Sequence, residues 1–285
     1  MIVVTGATGH YGPLAIEELL ARGVPAGQIV AVARDPRKAD ALAARGVQVR
    51  RADYTDPESL AGALSGAEKL LFVSGSEVGQ RVAQHRNVVD AAKAAGIRLI
   101  AYTSILNADT TGIRLADEHR ATEAMIRESG VPFVLLRNTF YMEVYTATLR
   151  QAVEHGAIVD ATGDGRISGA TRADLAAAAA VVLTTEGHEN RTYELGGEPA
   201  FTMADLAAEA SRQSNRPVAF RNLSQSEYVD FLTKVGLPRE AAEVYADASV
   251  GASRGELFTD SGDLPRLLGR ATTPLAEAVA VALKG

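Results

Sequence analysis

Residues 1–12 read Met1-Ile2-Val3-Val4-Thr5-Gly6-Ala7-Thr8-Gly9-His10-Tyr11-Gly12. A short β-branched run leads directly into three evenly spaced glycines, and a helical pattern begins at the last of them. The first glycine allows a sharp turn off the strand, the second a close approach of the backbone to a pyrophosphate, and the third close packing of the helix on the sheet. The phosphates would meet free N–H groups at the start of the helix. The stretch therefore predicts a dinucleotide-binding loop; the alternative is an ordinary glycine-rich turn.

Short apolar strands alternate with helices over the rest of the first half. Such alternation predicts a parallel sheet covered by helices on both faces, and hence an α/β fold with a Rossmann-type doubly wound parallel sheet. The predicted strands are Ile2–Thr5, Ile29–Ala33, Val47–Arg50, Lys69–Val73, Arg98–Thr103 and Phe133–Leu136. The predicted helices are Gly12–Arg22, Pro36–Arg45, Pro57–Leu64, Gln80–Ala95 and Leu115–Ser129.

The alternation stops near Arg137, which predicts a change of domain. We expect a dinucleotide-binding Rossmann domain over residues 1–137 and a smaller C-terminal α/β lobe on the substrate side over residues 138–285. The elements predicted for this lobe are a helix from Tyr145, the helix Ala173–Leu183, the strand Thr192–Leu195, helices within Thr202–Gln213 and Ser224–Val235, and a last helix near Pro274–Leu283.

Composition and charge exclude several classes of protein. The 285 residues carry a net charge of −6, which argues against a nucleic-acid binder. The chain has no cysteine, and its five histidines do not form an H-x-x-x-H or H-E-x-x-H motif, so we expect no metal. No segment approaches the roughly 20 apolar residues of a membrane span, and the first residues lack a signal-peptide pattern. We expect a cytoplasmic protein.

Several further motifs follow the glycine loop in a fixed order and spacing. With the loop, they resemble the NmrA-like group of atypical short-chain dehydrogenases, and within it the bacterial flavin-free NAD(P)H:quinone oxidoreductases. The resemblance covers nearly the whole chain. The motifs are Ala33–Ala39, Arg51–Tyr54, Ser76–Arg81, Gln84–Lys93, Ala101–Ser104, Ala116–His119, Leu135–Asn138, Ala170–Asp174 and Val250–Ser253.

The resemblance implies NADPH-dependent two-electron reduction of a small-molecule quinone by direct hydride transfer, without flavin. An alternative is an NmrA-like sensor that binds NADP and acts through a protein partner without chemistry. Reduction of another activated acceptor, such as an enone or imine, is a third possibility. A homodimer is also left open.

The basic residues after the second predicted strand indicate which dinucleotide the protein binds. Arginine at this place suits the 2′-phosphate of NADP, whereas an acidic residue would accept the 2′-hydroxyl of NAD. Arg34, Arg37 and Lys38 favour NADP, although all three could be solvated surface charges and Asp35 could still favour NAD.

The resemblance extends the cofactor site beyond the glycine loop. Asp53 and Tyr54 resemble the family's adenine-edge pair, although Asp53 could simply cap the following turn. The resemblance assigns the stretch after the fourth strand to the central phosphates and the nicotinamide ribose, and the turn after the sixth strand to the nicotinamide. These two stretches are Ser74-Gly75-Ser76 and Asn138-Thr139-Phe140-Tyr141-Met142-Glu143.

The catalytic pair Tyr-x-x-x-Lys of most short-chain dehydrogenases is missing, because no tyrosine here has a lysine four residues later. Alcohol or sugar oxidation is therefore disfavoured. A quinone needs less help, since a phenol-like product with a pKa of about 10 can take its protons from water. The candidate catalytic side chains are His119, at the position where isoflavone-reductase relatives carry a lysine, the hydroxyls of Thr103 and Ser104, which we expect to face the cleft, and Tyr141. His119 could instead be a packed histidine, and His85 is expected on an exposed helix face.

Overall fold

The computed structural model describes residues 1–284, which contain nine strands and thirteen α-helices. The strands are β1 (Ile2–Val4), β2 (Ile29–Ala33), β3 (Gln48–Arg51), β4 (Lys69–Phe72), β5 (Leu99–Ile105), β6 (Phe133–Asn138), β7 (Ala157–Asp160), β8 (Arg191–Leu195) and β9 (Ala219–Asn222). The helices are α1 (Gly12–Ala21), α2 (Asp40–Ala43), α3 (Pro57–Leu64), α4 (Arg81–Ala94), α5 (Leu115–Glu128), α6 (Met142–Thr146), α7 (Leu149–His155), α8 (Arg172–Thr184), α9 (Met203–Ser214), α10 (Gln225–Lys234), α11 (Arg239–Ser253), α12 (Asp263–Leu268) and α13 (Leu275–Lys284).

The central sheet has seven strands in the order β3-β2-β1-β4-β5-β6-β8. The pairings among β1 to β6 are all parallel, as continuous apolar strands separated by helices predict. The strand order reverses between β1 and β4, and ligands of such sheets bind at the carboxyl ends of the strands at this reversal. The predicted fold class is confirmed.

The chain forms two compact units, and each is made of several segments. The first comprises residues 1–105, 118–138 and 172–193, and the second comprises residues 106–117, 139–171 and 194–284. The single boundary predicted after residue 137 is therefore corrected. The helix α8 belongs to the first unit because it packs on α1, where the Tyr11 hydroxyl donates to the carbonyl of Leu175 at 2.8 Å. An alanine-rich helix fits closely against many surfaces, so its sequence does not identify its neighbour.

The sequence also missed four elements of the second unit, β7, β9, α11 and the short helix α12, and misjudged one helix of the first. The strands β7 and β9 form a separate parallel pair, and each has only four residues. Pro238 and Gly251 obscured the helical pattern of α11, which begins after the proline. The predicted helix Pro36–Arg45 is a 3₁₀ turn over Pro36–Ala39 followed by the single α-helical turn of α2.

Candidate cofactor site

The glycine loop turns off β1 at the point where the strand order reverses. Gly6 has φ +61°, a backbone conformation that favours glycine, and the N–H of Gly9 donates to the carbonyl of Gly6 at 3.0 Å. A Cβ on Gly12 would lie 2.4 Å from the carbonyl oxygen of Gly6 and 2.8 Å from the Cα of Ala7. The third glycine thus lets the start of α1 pack against the loop itself, which refines the predicted packing against the sheet.

The start of α1 leaves backbone donors available to an anion. Tyr11 is the N-cap and makes no side-chain capping hydrogen bond to the first turn, while Gly6, Gly9 and His10 are exposed. The ring of Tyr11 is buried and its hydroxyl is bound to α8, so this side chain anchors the loop. The loop therefore offers backbone N–H groups and the positive end of a helix dipole, which suits a pyrophosphate.

A basic patch follows β2, at the same edge of the sheet. The Arg34 guanidinium donates to a carboxylate oxygen of Glu77 at 3.0 Å, and the side chain of Arg34 is 69% exposed. The Arg37 guanidinium donates two hydrogen bonds to Asp35, both 2.9 Å long, and this contact lowers the pKa of the Asp35 carboxyl. Asp35 is paired with Arg37, and Arg34 meets Glu77 through one nitrogen only, so Arg34 and the exposed Lys38 can still bind a 2′-phosphate.

Asp53 and Tyr54, the predicted adenine-edge pair, both have partners within the first unit. The Asp53 carboxylate accepts from the N–H and the hydroxyl of Thr55 at 2.9 and 2.7 Å, as the capping alternative requires. The Tyr54 hydroxyl lies 2.6 Å from the Thr5 Oγ1 and 2.7 Å from the carbonyl oxygen of Val73. Tyr54 therefore ties the ends of β1 and β4 together, and the adenine role of the pair stays a prediction.

The loop after β4, residues 73–80, is fixed by hydrogen bonds to side chains of β5 and α4. The N–H of Ser74 donates to the hydroxyl of Thr103 at 2.8 Å, and the N–H of Gly75 donates to the Nε2 of His85 at 2.9 Å. The Arg81 guanidinium donates to the carbonyl of Gly75 and to Glu118, at 2.8 and 2.9 Å. Three side chains that the sequence did not connect with the site, His85, Arg81 and Glu118, thus hold this loop in place.

His85 was predicted on an exposed face, and the structure corrects this, since His85 is fully buried. Its Nε2 accepts from a backbone N–H, so the proton is on Nδ1, which lies 2.9 Å from the hydroxyl of Thr122. Burial, with a smaller contribution from Arg81, lowers the pKa of His85 to about 3. Neutral His85 is packed against Phe72, with ring centres 4.7 Å apart.

Three of the four candidate catalytic side chains are engaged inside the first unit. His119 is 5% exposed, its Nδ1 lies 2.8 Å from the Tyr102 hydroxyl, and burial lowers its pKa well below the usual value. These surroundings agree with the alternative in which His119 is a packed histidine. The predicted cleft-facing orientation of Ser104 is corrected, since its hydroxyl is buried and donates to Glu123 at 2.6 Å, and Arg137 holds the same carboxylate at 2.7 and 2.9 Å. The catalytic role of these residues stays a prediction.

Asn138, the last residue of β6, is buried with both side-chain amide atoms lacking a hydrogen-bond partner. An unpaired buried polar group costs roughly 1–3 kcal/mol, so this amide is suited to a polar group of a ligand. The turn Thr139–Glu143 belongs to the second unit, where Tyr141 pairs with Ala170 and the N–H of Met142 donates to the carbonyl of Ala170 at 2.9 Å. The predicted contact of this turn with nicotinamide stays a prediction.

Comparisons with known proteins agree with this geometry. The model of an NAD(P)H-binding family matches residues 6–186. The chain belongs to this family. It is 54% identical to Quinone oxidoreductase 2 of Escherichia coli, over 98% of this chain and 97% of that protein. The predicted resemblance is thereby confirmed.

Two solved structures have the same fold over their whole length. The NADPH-dependent quinone oxidoreductase of Escherichia coli complexed with NADPH has a TM-score of 0.96 at 54% identity, covering 99% of each chain. The triphenylmethane reductase of Citrobacter complexed with NADP(H) has a TM-score of 0.95 at 44% identity, covering 99% of this chain and 100% of that one.

Residues 1–284 show neither a metal-binding cluster nor a membrane-spanning helix. This part of the chain has no cluster of three or more histidine, cysteine or acidic side chains that could hold a metal ion. None of its helices is long and apolar enough to cross a membrane.

Proposed function

We propose that this NAD(P)H-binding protein is an NADPH-dependent quinone reductase. This proposal rests mainly on the exposed glycine loop at the strand-order reversal, with the basic patch of Arg34 and Lys38 at the same edge of the sheet. The full-length similarity to a quinone oxidoreductase supports quinones as the substrate class.

The residues that fit the cofactor have separate tasks. The backbone of the loop Gly6-Ala7-Thr8-Gly9-His10-Tyr11-Gly12 suits the pyrophosphate, and Arg34 and Lys38 suit the 2′-phosphate. The loop Ser74-Gly75-Ser76 and the unpaired amide of Asn138 are proposed to contact the half of NADPH that carries the nicotinamide. Asp53, Tyr54 and the turn Thr139–Glu143 are proposed as further contacts on the basis of the family resemblance.

The proposed reaction requires positioning more than acid–base chemistry. NADPH supplies a hydride, and a quinone that takes up this hydride and one proton from water becomes a hydroquinone. Holding two reactants in contact can lower the barrier by several kcal/mol. The buried hydrogen bonds of His119 and Ser104 fit a reaction in which no side chain has to donate the proton. The protein's contribution is then to bind and orient.

The proposal is tested by the oxidation of NADPH with p-benzoquinone, followed at 340 nm. We expect steady turnover by the wild-type protein and none by Gly9→Val, whose side chain would occupy the space that the pyrophosphate needs. The matched control is Gly27→Val, because a Cβ on this exposed glycine meets no atom within 4 Å. NADPH binding without turnover of any quinone would favour the sensor alternative.

The cytoplasmic location and the homodimer are retained as proposals. Size-exclusion chromatography with light scattering tests the dimer, and a monomeric mass would overturn it. Fractionation of the source cells tests the location.

A further inference from the structure

The carboxylate of Glu77 lies directly against the residue proposed to bind the 2′-phosphate. Its Oε1 accepts a hydrogen bond from the Arg34 guanidinium at 3.0 Å, and its Oε2 accepts one from the Gln84 amide at 2.8 Å. Glu77 comes from the loop after β4, 43 residues away from Arg34 in the sequence. An acidic side chain from the loop after a different strand is thus held beside the basic patch.

The contact leaves Arg34 able to bind a second anion. A guanidinium carries five N–H donors, and its contact with Glu77 is formed by one nitrogen, while the side chain of Arg34 remains 69% exposed. Asp35, which immediately follows Arg34, is occupied by Arg37. Asp53 also interacts with Arg34, but its carboxylate accepts hydrogen bonds from Thr55, so Glu77 is the carboxylate in direct contact with Arg34.

The two charges favour different cofactors. A guanidinium favours the 2′-phosphate of NADPH, whereas a carboxylate accepts a hydrogen bond from the 2′-hydroxyl of NADH and repels a phosphate. Because the Glu77 carboxylate is fixed by Gln84 as well as by Arg34, it stays near this position when Arg34 moves toward a ligand.

We propose that Glu77 is a specificity-determining residue that weakens the preference for NADPH and so permits the use of NADH. The inference rests on the proposed function, since it requires Arg34 to face the 2′-position of the cofactor. Glu77 opposes the 2′-phosphate and supplies an acceptor for the 2′-hydroxyl of NADH.

The test is the ratio of the Kd of NADH to the Kd of NADPH, measured by calorimetry without a quinone. In Glu77→Gln the NADPH affinity should rise about 3- to 5-fold, the size expected of one partly exposed charge, and the NADH affinity should fall. The ratio should therefore increase at least about threefold, and further by the factor by which the NADH affinity falls. High salt should reduce the change, because exposed charges are screened.

The matched control is Glu68→Gln. Glu68 forms an exposed ion pair with Arg98 and precedes β4, at the opposite end of the strand from Glu77, and its replacement changes the net charge equally. We expect the ratio to stay at the wild-type value. A similar rise in Glu68→Gln, or an unchanged or falling ratio in Glu77→Gln, would overturn the inference.

The experiment separates this inference from the proposed function. If the wild-type protein binds neither nucleotide, the proposed function fails. If it binds both but the ratio does not respond to Glu77→Gln, the inference alone fails. Arg34→Ala provides a second measurement, since adding Glu77→Gln to it should partly restore NADPH binding by removing the repulsion.

Discussion

At the scale of the residue, Asn138 shows that stability and ligand binding can place opposite demands on one side chain. On the same strand Val134, Leu135 and Leu136 are apolar and fully buried, and Arg137 is paired with Glu123, whereas the amide of Asn138 is buried without a partner. Most buried polar groups in proteins are hydrogen-bonded, so an exception at the carboxyl end of a strand of the parallel sheet indicates a site for a ligand.

We therefore expect Asn138→Leu to separate stability from function. The substitution removes the unpaired polar atoms and roughly keeps the shape, so the free energy of unfolding without cofactor should be unchanged or rise by up to about 1 kcal/mol. NADPH affinity should fall roughly tenfold, by the loss of one or more hydrogen bonds. Urea denaturation and NADPH titration measure the two quantities.

The matched control is Thr162→Val, which removes a buried hydroxyl that also lacks a partner and lies in the second unit. It should affect stability in the same direction and leave NADPH affinity unchanged. An Asn138→Leu protein that binds NADPH as tightly as wild type would contradict the assignment.

At the scale of the element, the loop after β4 depends on the protonation of a histidine in α4. His85 accepts the N–H of Gly75 only while its Nε2 is unprotonated. The same loop carries Glu77 and the candidate contacts Ser74-Gly75-Ser76. The geometry of the loop is thus linked to a buried, neutral imidazole.

This linkage predicts loss of stability in acid. In the unfolded chain His85 takes up a proton near its usual pKa of 6.5, whereas the folded pKa is about 3. Between these values the unfolded state binds more protons, so stability is fully present above pH 6.5 and falls as the pH is lowered toward 3. The slope should be about 1.4 kcal/mol per pH unit for this residue, and buried His119 acts in the same direction.

Urea denaturation between pH 4 and 7 measures this slope. It should become shallower in His85→Gln, because glutamine does not titrate, and remain as in wild type in His155→Gln, which changes an exposed histidine of α7. An equal slope in all three proteins would show that His85 does not contribute.

At the scale of the whole molecule, the loops at the carboxyl edge of the sheet are held by many hydrogen bonds. Among residues 1–284 the structure identifies no side chain as a dedicated proton donor. His119, the histidine among the candidate catalytic residues, is buried and packed against Tyr102, with ring centres 5.9 Å apart. Catalysis by proximity needs the fold to hold the cofactor and leaves single side chains replaceable.

We therefore expect His119→Ala to lose stability rather than activity. It creates a cavity and removes one of the two hydrogen-bond partners of the Tyr102 hydroxyl, which should cost about 2–4 kcal/mol. The folded variant should retain most of its kcat with p-benzoquinone, whereas general acid catalysis would require a loss of about 10²-fold or more. Steady-state kinetics measures the activity, and circular dichroism confirms that the variant is folded. An inactive protein that binds NADPH normally would establish His119 as a proton donor.

The sequence by itself determined the features that depend on neighbouring residues. The strand–loop–helix of residues 1–22 and the alternation up to β6 were predictable because glycine conformations, strand runs and helix ends are local. The resemblance to a family gave the activity class, because it relies on motifs spread along the chain.

Only the tertiary structure decided which distant groups meet. Burial of His85, attachment of α8 to α1, the contact of Glu77 with Arg34 and the unpaired amide of Asn138 all depend on segments far apart in sequence. The helix α4 has a polar composition, and its sequence does not reveal that the face with His85 packs against Phe72. Whether a polar side chain is exposed, structural or available to a ligand is set by the elements packed around it, because burial and hydrogen bonding depend on all neighbours at once.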